Sequence, residues 1–378
     1  MGILELIFGV FAIIGALDKI FGNKLKLGEE FEKGIAVAGP LALAMVGMVA
    51  IAPTLSKLII PVLGPVSEFL HIDPSFIGAF ISIDMGGATI AQELSGGTVW
   101  AGYNGLVVAS MLGCTICCAI PIPLKMIDKK HHKDVLNGII CGIATMPIGC
   151  IIGGLLVGCP FLSLLLNTLP VILMAIITCV GLVLNPELCR KIFGIIGNII
   201  LIIMTIGLGA GAFEHITGIG LIPYMDPLTV GFDAVAEIVI LLSGVYPLIA
   251  VVSKLFHKPL SKLGKTLKIN DVSILGLIST LANCIPTFAL VEKMNSKGII
   301  MNIAFTVSAA FVFGDHLAFT MAFDKTYLSG MVAGKVISGL CSLVAAHFLF
   351  KFTYKNKDDE EFATGKVEVA LDQPAIAE

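Results

Sequence analysis

The chain has 378 residues, 57% of them hydrophobic and only 13% charged, with a mean hydropathy of +0.98. A soluble fold of this length could not cover its surface with so few charges, so the composition excludes water-soluble classes and points to an all-α polytopic membrane protein. The formal net charge of −3 and the lack of a basic patch interleaved with aromatics exclude nucleic acid as a partner.

Apolar runs of spanning length fall at 2–22, 34–59, 98–122, 135–158, 161–184, 192–213, 228–252, 299–322 and 331–350. Each is near the roughly 20 residues a helix needs to cross the hydrocarbon core, so about nine transmembrane helices are expected. No Lys or Arg precedes the first run and Glu5 sits inside it, so it reads as a retained span and not a cleaved signal. Most of the ten cysteines lie inside apolar runs, where thiols behave as small hydrophobes, and no disulfide is expected.

Two further stretches, 74–94 and 271–290, are cut near the middle, the first by Asp84-Met85-Gly86-Gly87 and the second by Asn283-Cys284-Ile285-Pro286. Each arm is then about ten residues, roughly 15 Å of helix and half the membrane, which suits a re-entrant hairpin better than a straight span. Charge placement supports this. With both stretches re-entrant and the loop 125–134 in the cytoplasm, 19 of the 24 Lys and Arg residues fall on the inside and only Lys325 in an outside loop. Treating both as full spans removes the bias. The expected topology has an external N-terminus and a cytoplasmic C-terminal tail.

An internal repeat points the same way. Asp73-Pro74-Ser75-Phe76-Ile77-Gly78 resembles Asp271-Val272-Ser273-Ile274-Leu275-Gly276 at an offset of 198, and Asp128-Lys129 and Gly138 match Asp324-Lys325 and Gly334 at 196. Two inverted repeats are expected, 1–158 and 192–350, joined by a connecting segment 159–191; discontinuous helices between such repeats are a plan of secondary transporters. The stretch 351–378, with Asp358-Asp359-Glu360-Glu361, reads as a disordered cytoplasmic tail.

Few intramembrane polar groups remain. Asp84 falls at a hairpin tip, where an acid is costly unless paired or hydrated, and Gly86 and Gly87 permit unwound backbone whose carbonyls are open to a cation. The alternative for Asp84 is a bond to neighbouring helix-end amides. Asn283 holds the equivalent tip; its amide suits a substrate hydroxyl, or else it caps the next half-helix. Asp315 and His316 interrupt the run 299–322 and suit a coupling-ion site, a proton relay or a second substrate ligand, against a paired structural couple. Gln92, Glu93, Tyr103 and Asn104 form a candidate entry vestibule, although an interfacial aromatic belt explains Tyr103 equally well. Cys114, Cys117 and Cys118 have metal-ligand spacing but lie in a span, away from His131 and His132, so no metal and no cofactor is expected.

Three stretches carry a resemblance. Asp73 through Gly87 with Ile83-Asp84-Met85-Gly86-Gly87, Phe313-Gly314-Asp315-His316-Leu317, and Ile13-Ile14-Gly15-Ala16-Leu17-Asp18 resemble the ethanolamine permease family of bacterial ethanolamine-utilisation systems. The resemblance covers residues 1–350 and implies a multi-pass protein of the cytoplasmic membrane that admits ethanolamine for ammonia-lyase degradation in a microcompartment. The residues suit that substrate: Asp84 would neutralise its ammonium, Asn283 bind its hydroxyl, and Asp315 support the site or a coupling ion during alternating access. The rival readings are a carrier for another small organic cation or amino alcohol, a membrane-embedded enzyme using Asp315 and His316 as acid and base, and a scaffold acting through its tail. A homo-oligomer is left open.

Overall fold

The computed structural model describes residues 2–354, and the side chains of Asp84, of 256–263 and of Lys265 lie outside that description; of the tail expected as disordered over 351–378, residues 351–353 instead belong to the last helix and 355–378 lie outside the described residues. All regular structure among the described residues is helical. Helix α1 (Ile3–Ile20) turns back into α2 (Leu27–Leu70). Asp18 holds this turn: its carboxylate accepts from the amides of Leu25, Leu27 and Gly28 at 3.0, 2.9 and 3.1 Å, satisfying donors that the start of α2 leaves without helical partners.

After α2 the chain breaks into two tight turns, Pro74–Phe80 and Ile83–Met85, and then α3 (Gly87–Ser95). Four long helices follow: α4 (Val99–Met126), α5 (Lys129–Leu156), α6 (Phe161–Leu184) and α7 (Pro186–Thr217). The second half holds α8 (Leu228–Leu267), the short α9 (Asp271–Ala282) and α10 (Ile285–Leu290), then α11 (Ser296–Ala309), α12 (Asp315–Asp324) and α13 (Leu328–Thr353).

Among the described residues, seven stretches are long and apolar enough to cross a membrane: α2, α4, α5, α6, α7, Leu228–Leu255 of α8, and α12 with α13 over Asp315–Thr353. Two of the nine expected spans differ. The run 2–22 forms an 18-residue helix but carries Glu5, Asp18 and Lys19. The run 299–322 is not one helix, because α11 stops at Ala309 and α12 starts at Asp315. The unwinding has a tertiary cause. The amides of Phe311 and Phe313 leave the helix to donate to the carbonyls of Thr280 and Leu281 at the end of α9, at 3.0 and 2.8 Å. Backbone groups at membrane depth must be satisfied within the protein, and each break here satisfies the other.

The centre of the molecule is α4 and α11. Residues Tyr103–Gly113 of α4 and Lys297–Ala309 of α11 are buried throughout. Helices α5 and α13 flank them and approach backbone to backbone: a Cβ on Gly149 would strike the Gly334 carbonyl, and one on Gly330 the Gly153 carbonyl. Lipid supplies no hydrophobic drive between helices, so close packing of small residues at this four-residue spacing supplies cohesion instead.

Charged contacts gather at two ends. At one, Lys130 pairs with Glu292 at 2.6 Å, Lys19 with Glu32 at 2.7 Å, and Lys254 reaches the Leu25 carbonyl at 3.1 Å. At the other, Lys325 meets Glu5 at 3.2 Å. Helix α1 runs from the second group to the first.

Candidate transport site

The break between α9 and α10 is built locally. Asn283 adopts extended backbone and its Oδ1 accepts from the Ile285 amide at 2.9 Å, capping α10, while Pro286 occupies the first turn where its missing N–H costs nothing. The ends of this stretch come together, since Asn270 Nδ2 donates to the Lys293 carbonyl at 2.7 Å and Asn295 Nδ2 to the Lys268 carbonyl at 3.1 Å. Gly314, just before α12, lies so close to the Ala282 carbonyl that any Cβ would overlap it.

The first break is set by glycine. Gly86 has φ of 100° and its bare face touches the Met48 side chain; Gly87 lies against the Ile81 carbonyl. Asp84 sits in the turn Ile83–Met85, whose backbone packs against α12, the helix that Asp315 opens. The side chain of Asp84 lies outside the described residues.

Asp315 accepts a hydrogen bond from the Tyr246 hydroxyl of α8 at 3.0 Å. His316 points elsewhere: it is buried and its ring packs on Phe311 at 5.3 Å between centroids. Tyr246 and Asn283 line the same cavity of about 480 Å³, together with Glu30 and Lys33 of α2 and Ser279 and Pro286. A second cavity of about 780 Å³ joins Met85, beside Asp84, to Lys125, Arg190 and Asn198. A third, of about 660 Å³ and lined by Phe8, Leu281, Phe313 and Leu317, is almost wholly apolar.

The vestibule residues separate. Gln92 and Glu93 are exposed on α3. Tyr103 and Asn104 are enclosed: the Tyr103 hydroxyl bonds Thr168 Oγ1 and Asn104 Nδ2 donates to Ser75 Oγ, each at 2.9 Å. Neither side chain lines an entrance in this conformation.

Two further polar residues escaped sequence reasoning. Lys335 is fully buried in α13 and its ammonium donates to the Ser110 carbonyl of α4 at 2.6 Å. Its signal was a lone Lys inside an apolar run, the same criterion that singles out Asp84. Tyr246 carried no comparable signal, because only the fold turns it towards Asp315.

Residues 2–349 match the model of a family described as "Ethanolamine utilisation protein, EutH". The chain is similar to a protein of Listeria monocytogenes named "Probable ethanolamine permease EutH", 41% identical over 356 residues that cover 94% of this chain and 95% of the relative. A Salmonella typhimurium protein of the same name is 36% identical, covering 92% and 96% of the two chains. The "Uncharacterized protein YxeR" of Bacillus subtilis is also 36% identical, covering 91% and 93%. No solved structure matches the chain.

Proposed function

The chain belongs to the EutH family of ethanolamine utilisation proteins, and on that premise we propose that it is a permease carrying ethanolamine inward across the cytoplasmic membrane. It is not an enzyme, and the acid–base use of Asp315 and His316 is set aside with that reading.

The observation that carries the site is the cavity ending on Asn283, with Tyr246 linking it to Asp315. Ethanolamine is a small ammonium with one hydroxyl. An aliphatic amine resembles the Lys side chain, with a pKa of about 10.4, so the charged form dominates at neutral pH and crosses lipid poorly. In our reading Asp84 neutralises the ammonium, the Asn283 amide binds the hydroxyl, and Asp315 is oriented by Tyr246. Gly86 and Gly87 let the backbone approach closely.

The site lies between two inverted halves, 1–158 and 192–350, connected by 159–191, with re-entrant hairpins at 74–94 and 271–290. Matched roles support the repeat. Asn104 and Asn302, 198 apart, donate to Ser75 and to the Ser273 carbonyl, again 198 apart. Asp128 and Asp324 each accept the amide two residues ahead. The Asn270–Lys293 clasp supports the second hairpin. Alternating access then moves the two halves about a site near mid-membrane.

Uptake of labelled ethanolamine into proteoliposomes holding only this protein tests the reading. Saturable flux at acidic pH, where the neutral amine is scarce, is expected; its absence overturns the permease assignment.

A further inference from the structure

Between α9, α10 and α11 lies a closed set of oxygen atoms that neither the Asn283 cavity nor the Asp315 pair uses. The hydroxyls of Thr280 and Thr287 are 2.9 Å apart and those of Thr280 and Thr306 are 3.3 Å apart. Thr287 donates to the Gly276 carbonyl at 2.9 Å and Thr306 to the Asn302 carbonyl at 2.8 Å. All three threonines and Asn302 have no exposed surface.

Counting protons shows a surplus of acceptors. Thr287 and Thr306 have spent theirs on carbonyls, and the single Thr280 proton serves only one of its two neighbours. Asn302 has given both amide protons away, to the Ser273 and Gly298 carbonyls at 2.9 Å each. Its orientation is therefore fixed, because a flipped amide would set oxygen against two carbonyls. Its Oδ1 has no hydrogen-bond donor among the described residues and lies against the bare face of Gly276, the residue whose carbonyl receives Thr287.

We propose that this space binds a monovalent cation of sodium's size, held by the hydroxyls of Thr280, Thr287 and Thr306, by Asn302 Oδ1 and by the Gly276 carbonyl. Hard alkali cations take neutral oxygen ligands, and the lack of a carboxylate in the set disfavours calcium and magnesium. The site lies beside the C-terminal half of α9, whose dipole favours positive charge, as half-helix ends do for coupling ions. The cluster is also not a packing requirement of the architecture. At the positions 198 earlier stand Ser82, Thr89 and Val108, so the first half lacks the oxygen that Thr306 supplies.

The test uses the purified full chain in lipid nanodiscs without ethanolamine. Sodium replaces potassium at constant ionic strength while Tm and equilibrium binding of radioactive sodium are read. A saturable, sodium-specific rise in Tm is expected. Thr287→Val and Thr306→Val should each weaken apparent sodium affinity by about tenfold or more, and Thr89→Val should leave it unchanged. Should the valine variants misfold, Asn302→Asp keeps the shape and adds a charge, and should tighten sodium by about tenfold. No sodium-specific response, meaning a buried water only, overturns the site, and so does a response that the variants leave unaltered. Because no ethanolamine is present, failure here leaves the permease reading intact, and failed uptake leaves this site intact.

Discussion

Lys335 sets the electrostatic problem that the surrounding residues solve. A buried ammonium needs compensating groups nearby, and removing one member of such a set leaves the others uncompensated. Lys335→Met should therefore lower Tm in detergent and abolish ethanolamine uptake; unaltered stability and flux would separate Lys335 from the site. Asp84→Asn should abolish uptake while leaving membrane insertion intact, and normal transport by that variant would remove Asp84 from substrate binding. Tyr246→Phe deletes the hydroxyl donated to Asp315. A hydrogen bond to a charged group contributes about 1.5–3 kcal/mol, so KM for uptake should rise by roughly tenfold or more. An unchanged KM would mean that Asp315 does not act on substrate through Tyr246. At this scale the acids and the amide were legible, because each is a polar group in an apolar run. Tyr246 was not, since a tyrosine in a membrane span is common and its partner lies 69 residues away.

The breaks in the helices differ in how much of them the local chain encodes. Gly86-Gly87 and Asn283 with Pro286 mark two breaks by their own conformational preferences. The third, across Ala310 to Gly314, is marked locally only at its end by Gly314 and Asp315; Ala310, Phe311, Val312 and Phe313 have no local reason to unwind, and Phe311 even adopts φ of 62°. It exists because Thr280 and Leu281 offer carbonyls to it, and those carbonyls are open only because α9 ends there. A break caused by a tertiary partner leaves no pattern in its own sequence. The two breaks should therefore move together, and a contact nearby lets this be measured. Cys118 on α4 and Cys284 at the break stand 3.7 Å apart, sulfur to sulfur. In a chain whose other cysteines are replaced, copper–phenanthroline should oxidise these two thiols to a disulfide, the two electrons passing to the oxidant. Uptake should then fall and return on reduction with dithiothreitol. Full transport with the bridge intact would mean that the break does not move against α4. The Lys130–Glu292 pair at the end of this stretch has its own pH dependence. Lys130 beside Glu292 holds that carboxyl below its usual range. Its contribution is present above the unfolded carboxylate pKa and fades only as pH falls through the lowered folded value. Being exposed, the pair contributes little.

For the whole molecule, the sorting of charge predicts which end of the fold faces which compartment. Basic loops are assigned to one side from sequence alone; in the structure 125–134 meets 291–293 through Lys130 and His131 on Glu292, the turn before α2 meets Lys254 of α8 through Leu25, and Glu5 meets Lys325. These contacts follow from packing and from where the chain turns. The positive-inside rule then converts two ends into two compartments. On the expected orientation, the Glu30 and Lys33 side of the Asn283 cavity and the Lys125 and Arg190 side of the cavity beside Met85 face the cytoplasm, and this conformation is expected to be inward-facing. The assignment can be measured without reference to substrate. In a functional chain lacking native cysteines, Lys325→Cys should react with a membrane-impermeant maleimide in intact cells, and Lys130→Cys only after permeabilisation. Asn283→Cys should be protected from outside reagent but open to it in inside-out vesicles, because the cavity that holds Asn283 is lined by Glu30 and Lys33 on the side expected to be cytoplasmic. Labelling of Lys130→Cys from outside would reverse the orientation while leaving the fold untouched. Labelling of both from outside would instead break the two-ended arrangement itself, and with it the inverted relation between the halves.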